Sequence, residues 1–204
     1  MSTVHGYNIV ILPSAPIKKK AILWSKQMAT TVPTKFVLDG IQYHPHMTLY
    51  QSNFPDENYP ALISALHDQA KKITPFSISF EKINTYVDFI FLYALRTKQL
   101  QTTHEAILHA IHPLHDPNYT VPKDLQGFPP TIAKNINEYG CGLVNEDFLP
   151  HITLSRCNST NEAERAALSP TFQLMVMEVR SFSLTNVDHD GTCTKIIETF
   201  PLQG

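Results

Sequence analysis

The chain has 204 residues, 43% of them hydrophobic, and a formal net charge of −2. That length carries a full core in one or two domains, and the near-balanced charge excludes a broad basic field for gripping long nucleic acid. A short or single-nucleotide ligand in a local pocket remains compatible with it. Cys141, Cys157 and Cys193 are odd in number, lie far apart and form no CxxC, which argues against a disulfide framework or a zinc ribbon. They read as reduced thiols of a cytoplasmic protein, since no basic-then-apolar leader and no apolar run of membrane length is evident.

Tyr7 to Leu12 reads as a first strand, broken by Pro13 and Pro16. Ile17, Ala21, Trp24 and Met28 recur at helical spacing and predict a helix from Ile17 to Thr31, ended by Pro33. A short extended piece, Phe36 to Leu38, leads through the turn pair Asp39-Gly40 to a strand holding Pro45-His46-Met47-Thr48-Leu49. A polar loop is expected after Gln51, with Asp56 capping a helix to about Ile73. Phe76 to Phe80 alternates as a strand, with pairing extended to Tyr86; a bend at Asp88 leads to an apolar strand, Phe89 to Leu95. Thr97 to His112 reads as a helix stopped by Pro113. Asp116 to Pro130 holds Pro117, Pro122, Gly127, Pro129 and Pro130, and it reads as a crossover or lid. Thr131 to Tyr139 predicts a helix with Gly140 past its end. The second motif strand follows, Pro150-His151-Ile152-Thr153-Leu154. Thr160 or Asn161 then opens a helix (Glu162 to Leu168), Leu174 to Thr185 forms one long strand, Asp188 to Gly191 turns, and Thr192 to Phe200 returns.

The repeated Pro-His-x-Thr-Leu is the strongest signal. Chance supplies on the order of 0.01 such pentapeptides in a chain of this length. In an extended strand His46 and Thr48 share one face while Met47 and Leu49 anchor the other, and His151 and Thr153 do the same opposite Ile152 and Leu154. An imidazole exchanges protons near neutral pH and a hydroxyl donates to an oxyanion. Two such pairs across a cleft make a general base, a general acid and an anion cradle. Either copy alone reads as an amphipathic strand with a solvated polar face.

Set in register from the histidines, His46 to Leu95 and His151 to Phe200 each run motif strand, helix, long strand, bend, closing strand. That places Phe80 opposite Thr185 and Phe89 to Leu92 opposite Thr194 to Ile197. The expected fold class is α+β: two similar lobes with pseudo-two-fold symmetry, antiparallel sheets lining a central cleft, helices outside. Residues 1–204 are expected to form a single domain whose lobes pair about 1–115 and 116–204, with strands exchanged between them.

Two H-x-[ST]-apolar motifs in two similar lobes resemble the 2H phosphoesterase superfamily, which includes 2′-5′ RNA ligase-like proteins and cyclic nucleotide phosphodiesterases. The resemblance is specific at His46-Met47-Thr48-Leu49 and His151-Ile152-Thr153-Leu154 and extends in layout from Tyr7 to Phe200. It implies a metal-independent phosphodiesterase acting on 2′,3′-cyclic or 2′-5′ phosphodiester bonds of nucleotides or short RNA. His46 and His151 would be catalytic, and Thr48 and Thr153 would bind phosphate. It further implies a phosphate-binding role for Arg156, which has Gln51 as its first-half counterpart. Strand parity instead turns Arg156 away from His151 and puts Tyr50 and Ser155 on the cleft wall. The expectation is a monomer with no cofactor, no metal and no membrane partner, and a bell-shaped pH profile. Which histidine is acid and which is base stays open, as does the substrate. The competing reading is a non-catalytic nucleotide- or RNA-binding module of the same fold.

The remaining histidines invite a metal reading. His44 and His46 form a His-x-His pair, and His109 and His112 stand at i, i+3 with His104 and His115 near. No carboxylate or cysteine lies close to the first pair, so His44 reads as a surface or supporting residue, and the others read as an exposed polar helix face. Tyr7, Tyr50, Tyr86, Phe91 and Tyr93 have the chemistry to stack on a base. Core packing is the default for each, with Tyr50 tied to the site by parity.

Overall fold

The structure, a computed structural model, describes residues 3–118, 129–188 and 191–204. Most of the stretch expected to be a crossover or lid lies outside the described residues. The elements run β1 (Val4–Ile11), α1 (Ala15–Thr31), β2 (Met47–Pro55), α2 (Tyr59–Lys72), β3 (Phe76–Tyr86), β4 (Phe89–Ala94), α3 (Lys98–Ile111), α4 (Pro130–Tyr139), β5 (His151–Arg156), α5 (Thr160–Ala167), β6 (Met175–Val179), β7 (Ser181–Val187) and β8 (Cys193–Pro201).

Local chemistry accounts for most boundaries. In α1, Ile17, Ala21, Trp24 and Met28 are all buried, and Pro16 occupies the first turn, where its missing N–H costs nothing. Thr97 caps α3 by accepting from Leu100 N–H at 3.2 Å. Gly140 ends α4 with φ 72°, the left-handed conformation that glycine adopts without a Cβ penalty. At α5 the cap is Ser159, one residue before the expected opening: it accepts from Glu162 N–H, while Glu162 accepts from Asn158 N–H.

Among the described residues the strands form two four-stranded antiparallel sheets, ordered β2-β1-β7-β8 and β5-β4-β3-β6. Each takes two strands from the first half of the chain and two from the second. Helix α1 packs on β5 and α5, and α5 on β3 and β4; α3 packs on β2, and α2 on α3 and β8. Helices therefore back each sheet, and one continuous apolar core runs through both. The motif strands β2 and β5 are each an edge of their sheet, and the two edges meet.

Several sequence expectations are corrected. The polar loop after Gln51 is strand: Ser52 and Phe54 alternate inward as far as Pro55. Asp56 does not cap α2; it opens a 3₁₀ turn (Asp56–Asn58), and its carboxylate meets His5 at 3.1 Å. The long strand Leu174 to Thr185 is two strands in two sheets. Met175, Met177 and Val179 are buried, then Phe182 and Leu184, so the alternation changes phase at exposed Arg180 and the chain passes from one sheet to the other. The register between halves shifts as well: β4 lies beside a motif strand, as β1 does, whereas β8 lies at the far edge of its sheet.

Candidate active site

Both motif strands carry the same irregularity. In the β1–β2 ladder Ile9 faces Tyr50 and Val10 faces Thr48, which leaves Leu49 as an extra residue. In the β4–β5 ladder Ile90 faces Ser155 and Phe91 faces Thr153, which leaves Leu154 extra. These are β-bulges at the last residue of each Pro-His-x-Thr-Leu. A bulge reverses the side-chain alternation beyond it. His46, Thr48 and Gln51 thus come to one cleft, together with His151 and Thr153.

The histidine rings are held alike. His46 Nδ1 lies 2.8 Å from the His44 carbonyl oxygen, and His151 Nδ1 lies 2.6 Å from that of Leu149. A carbonyl only accepts, so Nδ1 carries the proton in both rings and the Nε2 lone pair is left for the cleft. The intervening residue is Pro45 or Pro150, whose ring biases the residue before it, His44 or Leu149, toward extended backbone. His44 N–H in turn donates to the Cys193 carbonyl, anchoring the first support to β8.

Their environments differ. Phe91 stacks on His151 with centroids 3.7 Å apart and planes 21° from parallel. Burial is the main cause that pushes the His151 pKa down to about 4; the Leu149 carbonyl opposes it, and the charge of His46 adds to it. Burial also lowers His46, against the His44 carbonyl and the nearby Asp188 carboxylate, both of which favour its charged form. The two rings sense each other's charge, so protonation of one opposes protonation of the other.

The cleft measures about 300 Å³, at the small end of ligand sites. His46, Thr48, Gln51, His151 and Thr153 give its polar part; Tyr86, Phe89, Phe91, Ile132, Ile136, Leu143, Phe148 and Leu149 give an aromatic and aliphatic wall. Tyr86 stacks on Phe91 at 5.7 Å and 13°. A larger groove of about 750 Å³ between α2 and α3 has neither histidine nor carboxylate among the described residues of its lining. Among the described residues no group of three or more His, Cys, Asp or Glu is placed to hold a metal ion, and no helix is long and apolar enough to cross a membrane.

The sequence profile of the 2'-5' RNA ligase superfamily matches residues 42–190, a span that includes both motifs. The chain belongs to that superfamily, the 2H phosphoesterases. A comparison with curated protein sequences finds no match. Among solved structures, TT0787 of Thermus thermophilus is similar over 98% of both chains, at 16% identity and a TM-score of 0.61. E. coli LigT complexed with 3'-AMP is similar over 99% of this chain and 100% of that one, at 14% identity and 0.59. The PDE domain of MHV ns2 is similar over 98% and 100%, at 11% and 0.50. At these identities the likeness is one of fold.

Within this 2H phosphoesterase fold, the structure brings His46, Thr48, His151 and Thr153 together. Tyr50 and Ser155 are not on the cleft wall: the bulges turn both inward, and both are wholly buried. The Tyr50 hydroxyl donates to the Tyr139 carbonyl at 2.9 Å and meets His112 Nδ1 at 3.0 Å, bracing the end of α4 from behind. Arg156 is on the same strand face as His151, contrary to simple parity. Its guanidinium lies over the Phe89 ring, 4.7 Å from the centroid, and its Nε donates to Asp88 at 3.0 Å. On α3 His109 is exposed as expected, but His104 is fully buried, and His112 just past its end is half-buried. Sequence reading missed Asn8, whose lone polar side chain in the apolar run Tyr7 to Leu12 was the available signal. It also missed the wall from α4, whose Ile132 and Ile136 at i, i+4 could have announced it.

Proposed function

We propose that this protein is a metal-independent phosphodiesterase that cleaves 2′,3′-cyclic or 2′-5′ phosphodiester bonds of nucleotides or short RNA. The observation that carries the reading is the pair of imidazoles locked at Nδ1 by carbonyls two residues upstream, each leaving Nε2 to one shared cleft. His151 is the general base: its apolar Phe91 stack and depressed pKa keep it neutral. His46 is assigned as the general acid: burial lowers its pKa too, but the Asp188 carboxylate works against that lowering, and no carboxylate among the described residues does so at His151.

Water attacks phosphorus as its proton passes to His151 Nε2. The bond from phosphorus to the leaving ribose oxygen breaks, and that oxygen takes a proton from His46 Nε2. Solvent exchange restores both rings. Thr48 and Thr153 donate to the non-bridging oxygens as charge builds there. An entering anion itself favours protonation of one histidine, so substrate recruits the proton that the unliganded site disfavours. The 300 Å³ cleft and its aromatic wall suit one nucleotide unit rather than a long strand.

The test is a panel of 2′,3′-cyclic nucleotides and 2′-5′ oligonucleotides, assayed in EDTA. Wild type turns over at least one class, and His46→Ala and His151→Ala each reduce kcat about 10²–10⁴-fold. Binding without turnover would instead identify a silent nucleotide-binding module. Activity restored by divalent metal after chelation would end the metal-independent reading.

A further inference from the structure

Resting on that function, we propose that Asn8 is a positioning residue that aims the proton donors of the first motif at the phosphate. Asn8 sits in β1, an interior strand, and is wholly buried. It is paired directly opposite Gln51 in the β1–β2 ladder. Its side-chain Nδ2 donates to Thr48 Oγ1 at 2.9 Å and to Gln51 Oε1 at 3.4 Å. Both of its N–H groups are then used, and both end on residues that line the cleft.

The consequence follows from counting protons. A threonine hydroxyl has one proton and two lone pairs. With a lone pair filled by Asn8, the Thr48 proton is left to donate outward. A glutamine amide whose oxygen is taken by Asn8 presents its NH₂ outward in the same way. One buried amide thereby occupies an acceptor site on each group and leaves its O–H or N–H to the cleft. Donors held in place before charge develops are the arrangement that favours an oxyanion.

Two features separate this role from ordinary strand packing. Asn8 Oδ1 is buried with no hydrogen-bond partner among the described residues. An unpaired buried acceptor destabilises a fold, so an apolar residue would suit β1 better on stability grounds alone. Second, the arrangement belongs to the first motif only. The residue at the matching register of the other sheet, opposite Arg156, is Phe89. Thr153 has an aromatic neighbour across its ladder, Phe91, where Thr48 has Val10. The two halves share a backbone plan but differ in how their hydroxyls are supported.

The experiment is a double-mutant cycle between Asn8→Val and Thr48→Val, with Asn8→Asp as a third variant. Valine fits an interior strand and removes the unpaired Oδ1, while the cleft-facing Thr48 and Gln51 become free to hydrate. Asn8→Val is expected to keep a Tm at or above that of wild type while kcat falls about 10–100-fold and KM moves less than about threefold. In the Thr48→Val background the same change costs less than about threefold, because its main target is gone. Asn8→Asp preserves shape but only accepts, which turns both protons inward, and it loses at least as much as Asn8→Val. A lowered Tm with kcat unchanged, full multiplicativity in the cycle, or an active Asn8→Asp would each overturn the proposal. If wild type turns over no substrate in the panel, the phosphodiesterase reading fails separately. The cycle is then read by calorimetric binding of inorganic phosphate: about tenfold weaker binding by Asn8→Val sustains the role of Asn8, whereas equal affinity, or no binding by wild type, ends it.

Discussion

The backbone just before each motif histidine governs what that histidine can do. The carbonyl two residues upstream of each ring, of His44 or Leu149, takes the Nδ1 proton across the intervening proline. The tautomer is thereby fixed twice by the same short sequence, and what differs is the surroundings: a phenyl ring against His151, a carboxylate near His46. This contrast makes the acid and base assignment testable by the leaving group. On a nucleotide p-nitrophenyl phosphodiester the departing oxygen needs no proton. His46→Ala should then fall within about tenfold of wild type, while His151→Ala keeps its loss of about 10²–10⁴-fold. Steady-state rates on activated and natural leaving groups decide it, and the opposite pattern would exchange the two roles.

At the scale of the element, the bulge explains why the site was only partly readable. The pentapeptide announced His46, Thr48, His151 and Thr153, because period-2 alternation holds from the histidine to the threonine. It then fails at Leu49 and Leu154, where the extra residue flips everything that follows. Nothing in either leucine signals a bulge, since the ladder partners that create it, Ile9-Val10 and Ile90-Phe91, lie far away in sequence. Tyr50 and Ser155 were misplaced for that reason, and Gln51 was passed over as a cleft residue. Elements with local signals fared better: the α1 apolar spacing, the Gly140 stop and the α3 start at Thr97 all rest on features within a turn or two of chain. The phase change at Arg180 was present in the sequence, but only two sheets make it intelligible. The buried position of Tyr50 carries its own prediction. Tyr50→Phe removes the bond to the Tyr139 carbonyl and should cost about 1–2 kcal/mol in urea unfolding. KM should remain within about twofold of wild type. Unchanged stability with a large rise in KM would put the ring back in the cleft.

Each sheet mixes strands from both halves of the chain, and His104 shows how the parts around the cleft are tied. From α3, its Nδ1–H donates to the Leu49 carbonyl at 2.6 Å, at the bulge of the first motif. Its Nε2 accepts from Asn145 N–H at 2.9 Å, and its ring lies parallel to Phe148 of the cleft wall, with centroids 4.1 Å apart. A second proton on this ring would set Nε2–H against Asn145 N–H in the interior. Burial accordingly lowers the His104 pKa to about 4, from an ordinary value of 6.5. The unfolded chain therefore takes up a proton, as pH falls below 6.5, that the folded protein refuses. Stability from this residue is complete above pH 6.5 and is lost progressively on acidification toward pH 4, by up to about 1.4 kcal/mol per pH unit. His151, also lowered to about 4, acts with the same sign. Asp39 titrates below this window: burial raises its pKa, but the backbone N–H groups of Tyr43, Ile41 and Gln42 outweigh that and hold it below its ordinary value. Urea unfolding from pH 7 to 4.5 should thus show stability falling with pH. His104→Gln, whose amide supplies one donor and one acceptor but takes up no proton, should flatten the acid limb by up to one proton. An equally steep limb in that variant, or wild-type stability that rises as pH drops from 6.5, would refute the neutral His104 tie between the motif strand and the cleft wall.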